Sequence, residues 1–276
     1  MSLLWPDQLG VALYPDRLLL ARTGGRLRRC LKYKRIVAVA PAKASAPLWQ
    51  AAVDALASEI AAGTMTGART TLVLSNRFVH YASVPYSDAL GSAEEELAYV
   101  RHCFTRVHGS QADGWAIRLS QAGPRETRLA CGIEQPLVDA LAKAMAPLGS
   151  NYRSLQPHLM ASFNRWRTCL RARPGWFVVA EPGLLCVALL CDGQWHSVRT
   201  LKVGPDWARE LPGVLNREEF MVGSHKQCDE VLLFAPDAAQ PLMLDAGKWR
   251  INALHPTLLP GMAAGVDAPF SLALGA

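Results

Sequence analysis

The strongest constraint on this chain is a strand-and-turn pattern that occurs twice. Leu9 to Leu13 is an apolar run, Tyr14-Pro15-Asp16 a turn, and Leu18 to Ala21 a second apolar run; Thr23-Gly24-Gly25 then turns the chain into a third run ending near Ala40. The second half opens the same way. Trp176 to Ala180 leads through Glu181-Pro182-Gly183 into Leu184 to Leu190, and Cys191-Asp192-Gly193 leads into Gln194 to Lys202. Proline and glycine supply the backbone conformations that tight turns need, so each run of three predicts an antiparallel meander. Pro15 and Pro182 lie 167 positions apart, and Gly25 and Gly193 lie 168 apart. Matched spacing at both turns marks an internal structural repeat.

Between and after the meanders the apolar period changes from two to 3.6. Ser45 is placed to cap a helix with Pro47 in its first turn, and Trp49, Val53, Leu56 and Ile60 form its inner face. Strands are expected at Thr70 to Ser75 and Phe78 to Val84. The clearest helix follows Asp88: Ser92 and Glu95 have capping-box spacing, Glu94, Glu95 and Glu96 favour the positive end of the helix dipole, and Leu97, Val100, Phe104 and Val107 predict one apolar stripe. Strands at Gly114 to Leu119 and Thr127 to Ile133 come next. They precede a helix opened by Pro136 with Leu137, Leu141, Met145 and Leu148 inward. A strand near Ser154 precedes a single helix carrying Leu159, Phe163, Trp166 and Leu170. The second meander is likewise followed by a helical segment and a strand, Glu230 to Phe234.

Composition narrows the function classes. A chain of 276 residues that is 50% hydrophobic and 19% charged can bury a sizeable core and is not a disordered one. Net charge is +6, a mild excess. It fits an anionic membrane surface, nucleic acid or an ordinary soluble protein. Basic residues cluster only at Arg26, Arg28, Arg29, Lys32, Lys34 and Arg35, where near-alternation suits the wet face of a strand. Nucleic-acid binding would need basic residues interleaved with exposed aromatics, and the tryptophans here fit core positions. Met1 to Gln8 shows no secretory signal. The longest apolar stretch, Trp176 to Cys191, is broken by Glu181, Pro182 and Gly183 and is too short for a direct membrane span. The seven cysteines predict reduced, buried thiols of a cytoplasmic protein.

No Walker A loop, G-x-G-x-x-G, G-x-S-x-G elbow or H-E-x-x-H occurs. His102, Cys103 and His108 are close in sequence, but on a helix the two histidines point roughly 120° apart, too divergent for one ion. His108 is expected to cap carbonyls at the helix end. Cys131 and Cys228 lack a nearby histidine and read as buried thiols. These residues carry neither a catalytic nor a metal site.

The two meander-helix-strand halves, the first with an α/β insertion, resemble the actin-like ATPase fold. Within it, the chain is similar to the PilM-like assembly proteins of type IV pili and to the cytoplasmic domain of the L component of type II secretion systems. The likeness is carried by Leu9-Gly10-Val11-Ala12-Leu13, Leu74-Ser75-Asn76-Arg77-Phe78-Val79, Val84-Pro85-Tyr86 with its acidic helix, Leu155-Gln156-Pro157, Trp176 to Gly183 and the closing Pro269 to Ala276. The resemblance implies an α/β, actin-like (RNase H-like) duplicated fold. Its two lobes would each carry a mixed sheet flanked by helices: residues 1–172, with an inserted subdomain at about 77–132, and residues 173–276.

Nucleotide-binding members of that group hold phosphates on two hairpins rich in Gly, Ser and Thr, each opening with an Asp-x-Gly-type sequence. Backbone N–H groups must approach the phosphates closely, and an acid must position the hydrated metal. Here Ala12 stands where the acid is expected and Tyr14 where the second glycine is expected. In the second hairpin Glu181 and Gly183 could imitate the motif, but Pro182 removes an N–H, leucines replace hydroxyl residues, and a type II turn explains Pro182-Gly183 as well. Leu233-Phe234-Ala235-Pro236-Asp237 stands where a Gly-rich adenosine loop should follow the late strand. No cofactor is therefore expected, ATP and magnesium included, and Asp16 and Asp237 read as turn residues. The resemblance then implies a non-catalytic cytoplasmic adaptor, peripheral at the inner membrane. Its partners would be the cytoplasmic tail of a single-span assembly protein and a pilus or secretion ATPase. The tail could dock between the insertion and the first lobe, by strand addition or groove filling, at Arg77, Phe78, His80, Tyr81 and Arg101. An ordinary solvated face fits those residues too. The alternative is an active ATPase whose remodelled site uses Asp16, Glu181 and Gly183.

Overall fold

The computed structural model describes residues 6–25, 28–41, 45–120, 123, 125–172, 174–223, 228–238, 247–263 and 265–274. The chain divides into two compact units, neither continuous in sequence. Unit 1 comprises Met1–Val79, Glu134–Arg165 and His255–Ala276; unit 2 comprises His80–Ile133 and Trp166–Leu254.

Unit 1 is built on β1 (Asp7–Leu13), β2 (Arg17–Gly24), β3 (Cys30–Ala38), β4 (Ala68–Leu74) and β8 (Tyr152–Pro157), in the order β3-β2-β1-β4-β8. The meander supplies the antiparallel pairs, and β1-β4 and β4-β8 are parallel. Parallel neighbours need crossovers, which put helices on the faces and bury the central strands on both sides. Accordingly Leu9 to Tyr14, Gly10 included, and Leu18 to Ala21 are buried. Helices α1 (Gln50–Ala61) and α3 (Gln135–Met145) pack together in this unit. Trp49, Val53, Leu56, Leu137, Leu141 and Met145 are buried as the sequence predicts. The start of α1 differs: Ser45 and Pro47 lie in a preceding turn, Trp49 occupies the cap position without a side-chain bond, and its indole N–H donates to Glu134 Oε2 at 2.9 Å. A tertiary bond has replaced the local cap. The C-terminal segment packs so closely that a Cβ on Gly10 would stand 1.1 Å from the carbonyl oxygen of Ala273, which only glycine permits.

Strand β3 departs from the one-wet-face expectation. Lys32, Tyr33, Lys34, Arg35 and Ile36 are all exposed, because β3 is the edge of its sheet. Charges on such an edge discourage pairing with other chains. Three are tied down: Lys32 to Asp7 at 2.7 Å, Lys34 to Asp267 at 2.6 Å and Arg35 to Glu59 at 3.2 Å.

Unit 2 repeats the plan. Strands β9 (Gly175–Glu181), β10 (Leu184–Cys191), β11 (Gln194–Lys202), β12 (Glu230–Phe234) and β13 (Arg250–Ala253) lie in the order β11-β10-β9-β12-β13, with the same two antiparallel and two parallel pairings. The long apolar stretch is the central hairpin, with every residue of β10 buried. Helix α6 (Trp207–Val222) covers one face, setting Leu211, Val214 and Leu215 against Trp176, Val178, Leu185, Val187 and Trp249.

A three-stranded sheet completes unit 2: β5 (His80–Val84), β6 (Trp115–Leu119) and β7 (Arg128–Glu134), in the order β5-β7-β6, with α2 (Ala93–His108) against it. The capping box is formed, Ser92 Oγ accepting from Glu95 N and Glu95 Oε2 accepting from Ser92 N. The predicted stripe is half right. Val100 and Phe104 are fully buried, but Leu97 and Val107 are exposed, and the inward row continues to His108. At about 100° per residue Leu97 and Val107 lie in the same sector of the helix as that row, so helical period alone does not account for their exposure. Two more boundaries shift. Asn76–Phe78 is a 3-10 turn, so the strand begins at His80; and Leu159 to Leu170 divides into α4 (His158–Arg165) and α5 (Arg167–Ala172).

Candidate functional site

The resemblance directs attention to the two hairpin turns. In unit 1, Leu13 and Leu18 close the β1-β2 ladder around Tyr14, Pro15 and Asp16. The N–H of Tyr14 donates to Arg17 O at 2.9 Å, Pro15 has none, and Asp16 O accepts from Val39 N at 2.8 Å. A phosphate cradle needs successive N–H groups turned outward to one point; this turn spends its first donor on its own closure. Tyr14 is buried, with the Arg17 guanidinium 4.7 Å from its ring centre. The Asp16 side chain is 64% exposed and accepts from Arg17 Nη1 at 3.2 Å. It occupies a solvated corner and pairs with its sequence neighbour.

In unit 2, Glu181 and Leu184 are paired directly, leaving a two-residue loop of Pro182 and Gly183. Gly183 has φ 72°, the left-handed value that the third position of a type II turn requires. Glu181 is buried at the end of β9. At the end of β12, Phe234 is buried with the Trp166 ring 4.5 Å away, and Ala238 N donates to Ala235 O across a tight turn. Bulky rings thus stand where a Gly-rich loop would let a backbone approach a ligand. Asp16 belongs to unit 1, and Glu181 and Gly183 to unit 2.

The residues expected to meet a partner are spread over three elements. Arg77, half-buried, and Phe78, buried, lie in the 3-10 turn of unit 1, which Ser75 caps by accepting from Arg77 N at 3.1 Å. His80 and Tyr81 open β5, and Arg101 lies on the exposed side of α2. His80 stacks on Trp115 with ring centres 3.9 Å apart and planes 6° apart, and the His108 ring stands 5.1 Å from it. His108 Nε2 lies 3.3 Å from Tyr81 O. In place of the expected helix-end cap, His108 makes a contact from α2 to the backbone of β5. The structure brings His80, Tyr81 and His108 together around Trp115 and leaves Arg101 apart. Sequence spacing joined His80 to Tyr81 but gave no sign of Trp115, which comes from a strand far along the chain.

Nucleophile chemistry finds little support. All seven cysteines are free, but only Cys186 and Cys191 are fully buried, and Cys169 is exposed. Burial pushes the Cys186 thiol up to about 12 and raises Cys103, Cys131 and Cys228, so these thiols hold their protons at neutral pH. Among the described residues no three His, Cys, Asp or Glu side chains converge as a metal set, and no helix is long and apolar enough to cross a membrane.

No protein-family profile and no curated protein sequence matches the chain. Solved structures do. A PilM–PilN type IV pilus biogenesis complex aligns with a TM-score of 0.68 and 16% identity over 97% of this chain and 96% of that one. The cytoplasmic domain of EpsL, an inner-membrane component of the Vibrio cholerae type II secretion system, aligns at 0.58 and 12%, over 97% and 94%. A Bacteroides thetaiotaomicron protein with an actin-like ATPase fold and unknown function aligns at 0.60 and 12%, over 97% and 95%. Identities this low speak for architecture alone. The chain has the actin-like ATPase fold, as its residues predict.

Proposed function

We propose that this protein is a non-catalytic adaptor of a type IV pilus or type II secretion assembly platform. In this reading it is cytoplasmic and held peripherally at the inner membrane by the cytoplasmic tail of a single-span partner, with a pilus or secretion ATPase as a second contact. The observation that carries the reading is the pair of hairpins. Both stand at equivalent places in the two sheets, and both are reduced to short turns with proline at the centre. A nucleotide needs outward N–H groups there, and the actin-like fold without them serves as a scaffold. Neighbours of similar fold come from assembly machinery, which supports the same setting. On unit 2 the tail is proposed to meet the half-buried His80 and the exposed Arg101.

The test is a melting experiment with and without Mg-ATP. A specific binder at 100 times its dissociation constant gains about 2.7 kcal/mol; this protein is expected to show no change. A clear rise would instead favour the ATPase alternative, in which the buried Glu181 positions the metal hydrate. Affinity capture from cells under mild detergent is expected to retain an inner-membrane protein with a short cytoplasmic segment, and recovery of soluble proteins alone would count against the adaptor.

A further inference from the structure

Charge is divided unevenly between the two units. Unit 1 carries 14 Lys and Arg against 7 Asp and Glu, a net +7; unit 2 carries 15 against 16, a net −1. The basic excess of the chain therefore belongs to unit 1, and it gathers at one end of the five-stranded sheet. β2 finishes at that end, and β1, β3, β4 and β8 begin there, as their registers require. Arg22 stands opposite Leu9 near the end of β2, Arg69 opposite Gln8 at the start of β4, and Arg153 follows Tyr152 at the start of β8. Arg28 and Arg29 lie just before β3, and Lys143 lies in the last turn of α3, ahead of β8.

These cations lack the counter-ions that those of unit 2 possess. In unit 2 Arg125, Arg128, Arg199, Lys248 and Arg250 each face a carboxylate. Arg28, Arg29, Arg69, Lys143 and Arg153 are exposed and form no ion pair among the described residues. Arg22 is half-buried. Its Nη2 donates to Thr64 O at 3.1 Å and Thr66 O at 2.9 Å, while its buried Nε finds no acceptor among the described residues. Its charge meets carbonyl oxygens in place of a carboxylate. Neighbouring strands stand about 4.8 Å apart, so the row from β3 to β8 spans about 19 Å. Two strand spacings are close to the screening length of about 8 Å at physiological salt, so the fields of adjacent cations add.

We propose that this end of unit 1 rests on an anionic phospholipid bilayer, its unpaired cations meeting several headgroups at once. A row this long exceeds any single phosphate and matches a surface that repeats its negative charge. Choosing a bilayer over a nucleic acid rests on the adaptor reading, which sets the protein beside an anionic leaflet. The contact itself needs no partner tail, so it can fail while partner capture succeeds.

The experiment is vesicle flotation of the purified whole protein. Vesicles of phosphatidylcholine alone are compared with vesicles in which about a third of the lipid is phosphatidylglycerol. Flotation is expected with the anionic vesicles only, and is lost as salt rises from about 0.1 M to about 1 M. Arg28→Glu with Arg29→Glu, and Arg69→Glu with Arg153→Glu, should each weaken it at least tenfold; the side chains are exposed, so melting temperatures should hold. Arg209→Glu with Arg217→Glu makes the same change of net charge at exposed positions of α6 and should leave flotation intact. Sodium phosphate should compete no better than sodium chloride of equal ionic strength. Binding indifferent to lipid charge, an equal loss in the α6 variant, selective competition by phosphate, or tighter binding to duplex DNA at the same salt would each overturn the proposal.

Discussion

The two five-stranded sheets share one wiring plan and solve the same packing problem differently. Each carries a hairpin at its centre, an antiparallel strand outside it and two parallel strands on the other side. In unit 1 the helical side of the sheet has α1 and α3 packed together; in unit 2 it has α6, with Trp249 completing the core. Strand order is fixed by short turns and crossover handedness, which tolerate little change. Cover on a sheet face needs only enough apolar area, and a tryptophan can supply what a helix supplies elsewhere. Repetition therefore survives in the wiring and fades in the cladding.

Both halves also bury a glutamate beneath the third strand of the meander, and here the difference is electrostatic. Glu59 on α1 accepts from Arg35 Nη1 at 3.2 Å and from Thr64 Oγ1 at 2.9 Å. Glu218 on α6 has Arg199 Nε at 3.6 Å. Burial raises the Glu218 pKa against the pull of Arg199 and Arg217.

The sharpest way to break the parallel is through the central strands. Phe177→Ala empties a fully buried site on β9 and should cost about 3–5 kcal/mol in denaturant unfolding. Gly10→Val on β1 should cost about 3 kcal/mol by the opposite route, forcing a side chain into the backbone at Ala273. If Gly10→Val were silent, the close packing of the C-terminal segment would be wrong.

Asp267→Asn comes next, at about 2 kcal/mol near neutral pH, because the carboxylate accepts two bonds from Lys34 Nζ and one from Ala263 N. Burial alone would raise the Asp267 pKa, but those bonds outweigh it and hold the group below its ordinary value. A depressed carboxylate stabilises above its unfolded pKa and loses that contribution as pH falls through its folded one. The gap between wild type and Asp267→Asn should therefore close on acidification.

Glu59→Gln should cost about 1–2 kcal/mol near neutral pH. Glu218→Gln should not destabilise and should raise the melting temperature slightly. The folded state binds the Glu218 proton more tightly than the unfolded chain does, so wild type recovers that difference as pH falls through the raised value. Equal behaviour of the two variants across pH would erase the distinction between the halves. The smallest effects belong to the turns. Gly183→Ala should cost about 1 kcal/mol for its φ of 72°, and Asp16→Ala less than about 0.5 kcal/mol, since its ion pair with Arg17 is solvated.

Much of this was legible in the residues. Strands β11 and β12 begin and end where Gln194 to Lys202 and Glu230 to Phe234 place them, because period and turn signals agree there. The Ser92 capping box formed for the same reason, being complete within four residues. The four-residue β13 went unread, since its exposed pattern carries no periodic signal. At the candidate site, Pro182-Gly183 announced its turn type, whereas the stack of His80 on Trp115 joins the two outer strands of a sheet, β5 and β6, which only folding brings together around β7.

By itself the sequence determined the two meanders, their turns and the proline in each hairpin turn, because each of these is settled by residues within a few positions of one another. Only the tertiary structure decided that His255–Ala276 packs in unit 1, that α2 turns His108 inward, and that Trp115 comes to stack on His80. Those features arise where distant segments compete for the same buried area, and no local preference records the outcome of that competition.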